Sequence, residues 1–110
     1  MFWKALTATV AFVLLVPTFA SAQAAVEQGK KVYADQKCSV CHSVAGTGNK
    51  KGPLDKIGAK LSADDIRAWI VDAPTMTAKA KAERKPPMKA YSTLAKADVD
   101  ALVAYIQSLK

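Results

Sequence analysis

The sequence predicts an all-α fold of three or four short helices. Two stretches carry apolar residues at helical spacing: Ile66, Trp69 and Ile70, and then Val99, Leu102, Val103, Ile106 and Leu109. No stretch alternates apolar and polar residues as a half-buried strand does, and no internal repeat is present. With 110 residues, 51% apolar and 23% charged, the chain holds one small domain at most. That composition excludes disorder, collagen-like repeats and a multi-span membrane protein. There is too little chain to wall a large catalytic cleft. Sixteen Lys and Arg against nine Asp and Glu leave a formal charge of +7, which attracts acidic partners.

Residues 1–22 read as an export leader. Lys4 supplies the positive start, Ala5 to Val16 is an apolar run, Pro17 breaks it, and Ala20-Ser21-Ala22 is a small-x-small cleavage pattern. The run is shorter than the roughly 20 residues that a membrane-spanning helix needs. A second triplet, Ala22-Gln23-Ala24, would move the cut by two residues, and an uncleaved apolar anchor is the alternative. The expected mature chain is therefore 23–110.

Within it, Ala25 to Cys38 suits a first helix, with Val26, Tyr33 and the stems of Lys30 and Lys37 at helical spacing. Gly46 to Gly52 is a Gly/Asn/Lys loop. Ser62 can cap a helix whose first turn holds Asp64 and Asp65, and Pro74 is expected to end it. Met76 then falls in a loop, Ala78 to Lys85 has helix propensity, and Lys85-Pro86-Pro87-Met88 is extended. Lys96 to Leu109 forms the last helix, with Asp98 and Asp100 at its start and Lys110 at its end. Ala95 stands where a Ser or Thr cap is expected.

The chemistry lies in Cys38-Ser39-Val40-Cys41-His42, a C-x-x-C-H run of the kind that attaches c-type haem. Cysteines three apart sit on one face of a helical turn, so both sulfurs can reach one edge of a porphyrin. His42 is then held beside the macrocycle as an iron ligand. These are the only cysteines and the only histidine in the chain. A thioredoxin-like site needs a βαβ setting, a structural zinc site needs four ligands, and a disulfide here would close a tiny loop. One haem c, attached through Cys38 and Cys41, is the expected cofactor. Its second axial ligand is expected to be a methionine sulfur. Of Met76 and Met88, the stiff Pro86-Pro87 arm favours Met88; the competing role for either is a gap-filling core methionine.

On these residues the chain resembles the small bacterial monohaem class I cytochromes c, over essentially all of 23–110. Gly29 and Tyr33, the C-x-x-C-H run, Gly52-Pro53, Met88, and Leu102 with Tyr105 carry the resemblance. It implies helices packed around one haem, with the first and last crossing at Gly29, and its spacing from axial Met to last helix fits Met88. It also implies that the Pro53 carbonyl accepts the second ring N–H of His42, and that Trp69 either donates to a haem propionate or simply fills the core.

The function expected is one-electron transfer in the periplasm by a six-coordinate His42/Met88 haem, in a protein that is not an enzyme. Expected partners are redox proteins with acidic surfaces that meet Lys79, Lys81, Arg84, Lys85 and Lys89. Nucleic acid is not expected, nor a membrane span once the leader is removed, and the protein is expected to be a monomer. The alternatives are a haem-bearing subunit of a larger oxidoreductase complex, or a five-coordinate haem sensor or enzyme if Met88 is not bound. No Phe remains in 23–110, so haem would be the largest element of the core.

Overall fold

The structure, a computed structural model, describes residues 8–13 and 19–110. Much of the expected leader, 1–7 and 14–18, lies outside the described residues. Five α-helices are present among the described residues: α1 (Phe19–Asp35), α2 (Ile57–Lys60), α3 (Ala63–Val71), α4 (Ala73–Ala80) and α5 (Lys96–Gln107). A 3₁₀ turn, Cys38–Val40, follows α1. The fold is all-α in its frame, as expected, with five helices among the described residues where three or four were expected.

α1 lies across α5, and this is the main helix–helix contact. The core-facing stripe of α1 is Gly29 and Val32, buried, with Val26 and Tyr33 partly buried; Lys30 is exposed and lends no stem to it, and Lys37 lies beyond the helix. Gly29 makes the crossing possible. A Cβ there would overlap the Ala101 carbonyl oxygen and sit 2.5 Å from the Cβ of Tyr105. The Tyr33 and Tyr105 rings meet edge-to-face beside it, 5.6 Å apart at 81°. α5 buries Val99, Ala101, Leu102, Val103, Tyr105 and Ile106, an arc wider than one apolar stripe because α1, α2 and α3 all pack on it. Leu109 packs against this core from beyond the helix, which stops at Gln107, so Lys110 does not lie in the last turn. Ala95 provides no side-chain cap.

α3 begins as expected: the Ser62 hydroxyl accepts the Asp65 N–H at 3.1 Å, and Ile66 and Ile70 are buried on α5. The region after α3 differs from expectation. The break falls at Asp72, and Pro74 opens α4 instead of ending α3. Proline is well suited to the first turn, where its missing N–H has no partner to lose. Met76 therefore sits on a helix, and the helix expected over Ala78 to Lys85 has already ended at Lys81 in a left-handed conformation. No regular structure covers 82–91, but the arm before Met88, expected to be extended, bends at Lys85 and Pro86, which a cis peptide bond joins. That arm is tied to α3 by the Tyr91 N–H, which donates to the Ile70 carbonyl at 2.8 Å.

The expected loop after His42 contains a small hairpin, β1 (Ser43–Val44) antiparallel to β2 (Thr47–Gly48). Its two turn residues, Ala45 and Gly46, both have positive φ, as tight two-residue hairpin turns require. Strands of two residues carry no alternation, so the sequence pattern could not announce them.

Candidate functional site

α1 ends where Lys37 turns left-handed (φ 55°), and the chain reverses into the 3₁₀ turn. In 3₁₀ geometry residues three apart eclipse one another, so Cys38 and Cys41 share one face more closely than on an α-helix. The N–H groups of Cys41 and His42 both donate to the Cys38 carbonyl, at 3.1 and 2.9 Å. This closes one compact turn that carries both thiols and the imidazole.

The His42 ring is held from outside this turn. Its Nδ1 lies 3.0 Å from the carbonyl oxygen of Gly52, not from that of Pro53 as the resemblance implied. The reason is local pairing. Ser43 bridges Pro53 in parallel, with the Ser43 N–H donating to Gly52 O at 3.0 Å and the Leu54 N–H to Ser43 O at 2.9 Å. In that pattern the Gly52 carbonyl faces His42 and Ser43. Because a carbonyl only accepts, Nδ1 carries the ring proton and Nε2 keeps its lone pair. Gly52 also fits only as glycine, since a Cβ would collide with the Cys41 carbonyl and the Arg84 guanidinium.

These groups border a cavity of about 890 Å³. Cys38, Cys41 and His42 line it, and so do Pro86, Pro87 and Met88 from the arm after α4. Met76, on α4, is not among its lining residues. Ile66, Trp69 and Ile70 from α3, Leu102 and Ile106 from α5, and Tyr33 from α1 add an apolar wall. Leu54, Ile57, Leu61 and Tyr91 also line it. Sequence reasoning assigned none of these four; the hydrophobic positions of a short irregular segment carry no period to read.

Burial sets the protonation states. It pushes the Cys38 thiol up to about 11, so the sulfur is a neutral thiol. His42 is lowered by burial, an effect opposed by its bond to Gly52 and reinforced by the Arg84 charge, so its imidazole is neutral and able to ligate. Tyr33 is raised to about 12, chiefly by burial, and its hydroxyl is buried without a hydrogen-bond partner among the described residues. Two thiols, a neutral imidazole with a free Nε2, a thioether and a large apolar cavity are a donor set that suits an iron porphyrin.

Residues 26–110 match the family model described as Cytochrome c. The chain belongs to the cytochrome c family. Members of this family bind haem c covalently and transfer electrons through it, and this chain has its two cysteines in place for the attachment. The domain is 33% identical over 92 residues to cytochrome c oxidase subunit 2 of Alkalihalophilus pseudofirmus, an alignment covering 76% of this chain and 25% of that protein. The chain thus spans about a quarter of the length of that relative. No solved structure matches it. The packing of α1 on α5 is the helix arrangement expected of a class I cytochrome c.

Proposed function

We propose that this cytochrome c is a periplasmic one-electron carrier with a single six-coordinate haem c, held by Cys38 and Cys41 and ligated by His42 and Met88. The observation that carries this reading is that His42 and Met88, from segments more than 40 residues apart in the chain, line one cavity. Bound there, haem c supplies an iron that gains and loses one electron. The chain's own residues do the rest. Cys38 and Cys41 hold the group through thioether bonds, Nε2 of His42 is free to ligate because Nδ1 donates to Gly52, and the apolar wall excludes water. Trp69, half-buried on the cavity wall, can serve either as a propionate donor or as packing.

With His42 and Met88 both holding the iron, no site would be open to a substrate, and the protein would act as a carrier and not as an enzyme. Reduced protein mixed with carbon monoxide tests this. Slow or absent binding is the expected result, and rapid binding would favour the five-coordinate reading. Lys79, Lys81, Arg84, Lys85 and Lys89 are all exposed around the Met88 arm and form the docking surface for acidic redox partners. Raising ionic strength should slow electron transfer to such a partner.

Residues 1–22 act as the export leader, and 23–110 as a monomeric carrier. The apolar Val10, Phe12 and Val13 of that leader are exposed, so the fold has no use for them. No helix of the described residues is long and apolar enough to cross a membrane. The likeness to an oxidase subunit supports a second reading, a haem-bearing subunit of a larger complex. Purification as a free monomer would count against it.

A further inference from the structure

The turn that carries the cysteines is continued by no helix. A helical turn that stops leaves its last carbonyl groups without partners along the chain. Asn49 supplies them from across the loop. Its backbone N–H is shared between Ser39 O and His42 O, each at 3.0 Å. Its side-chain Nδ2 donates to Val40 O at 3.1 Å. The same residue shapes the segment beyond it: Oδ1 accepts the Lys51 N–H at 3.0 Å, and the Asn49 carbonyl accepts the Gly52 N–H at 3.1 Å. Gly52 O is the acceptor that fixes the His42 ring.

We propose that Asn49 is a positioning residue for the axial imidazole, joining the turn that bears Cys38, Cys41 and His42 to the loop that bears the orienting carbonyl. The proposal rests on the reading of His42 as an iron ligand. Asparagine is suited because a short side chain must present one donor and one acceptor at once. Aspartate keeps the acceptor for Lys51 but sets a carboxylate oxygen against Val40 O. Alanine keeps only the backbone bonds. Weakening the His42–Gly52 bond makes the imidazole a poorer electron donor, because that bond raises ligand basicity.

The test uses the haem-loaded full chain in its reduced, diamagnetic state. NMR follows exchange of the His42 Nδ1 proton with solvent, and a redox titration gives the potential. Asn49→Ala removes both side-chain hydrogen bonds, to Val40 O and from the Lys51 N–H; it should speed this exchange about tenfold and should move the potential upward. Lys50→Ala, an exposed neighbour, should change neither. An Asn49→Ala protein with unchanged exchange and potential overturns the proposal. If that variant yields no haem protein, Asn49→Asp is read in its place, with faster exchange expected and a wild-type rate counting against it. A wild-type protein whose iron carries no imidazole would overturn the axial assignment first, and this proposal with it.

Discussion

The α1–α5–α3 frame and the two segments that carry the proposed ligands, His42 and Met88, are held by different forces. The frame is apolar and interdigitated: Val32, Ile66, Ile70, Leu102 and Ile106 are buried in one cluster, with Gly29 allowing the closest approach. The segment from Lys37 to Lys56 buries almost nothing apolar. It is shaped by hydrogen bonds from Asn49 and to Gly52, and by left-handed backbone at Lys37, Ala45 and Lys56. The Met88 arm is more sparsely held: Ala82 to Pro87 are exposed, the Ala82 N–H bonds back to Thr77 O at the end of α4, and the Tyr91 N–H ties the arm to α3. The lesson is that a defect in the frame should cost stability, whereas a defect in the ligand-bearing segments should cost site geometry. The cavity is where the two meet, since its apolar wall comes from the frame and Cys38, Cys41, His42 and Met88 come from the loops.

The largest expected effect breaks both regions together. The double variant Cys38→Ala/Cys41→Ala should carry no covalent haem, so that denaturant and solvent extraction remove all of it. Its circular dichroism should show most of the helix lost, because the wall formed by Ile66, Trp69, Ile70, Leu102 and Ile106 would stand open to water. Next comes Gly29→Ala, confined to the frame. The added methyl meets backbone at Ala101 and cannot be avoided by a side-chain rotation, so a loss of about 3 kcal/mol is expected by urea unfolding. The haem spectrum of the folded fraction should be unchanged; an altered spectrum at full stability would break the division between frame and loops.

A smaller effect is expected at the start of α3. Ser62→Ala removes the cap on the Asp65 N–H and should lower stability by about 1 kcal/mol, again without spectral change. The smallest concerns Tyr33, whose pKa is raised by burial from 10.0 to about 12. A raised pKa on an acid means that the fold favours the protonated phenol, so this contribution is fully present below pH 10.0 and is lost as pH rises through about 12. The urea midpoint of the wild type should fall more steeply over that interval than that of Tyr33→Phe.

The same division explains what the sequence revealed. The core positions of α3 and α5 were legible because apolar residues at 3.6-residue spacing can serve only one face, and four of the five residues named on α5 are buried. The C-x-x-C-H run was legible as a motif, since its spacing is itself the chemistry. Less legible was everything decided by tertiary hydrogen bonding. Which carbonyl holds His42 depends on the pairing of Ser43 with Pro53, a contact ten residues apart that leaves no local trace. Asn49 reads only as a loop residue, yet its backbone N–H binds the Ser39 and His42 carbonyls and its side-chain Nδ2 binds that of Val40. Pro74 was legible as a boundary and misleading as to which side of it the helix lay, because proline both ends and begins helices.

The assignment of Met88 as the second axial ligand is tested most directly by the weak near-infrared sulfur-to-iron band of the oxidised protein. The wild type should show it, Met76→Ala should keep it, and Met88→Ala should lose it. A band that survives Met88→Ala and disappears in Met76→Ala would contradict the cavity's choice of ligand.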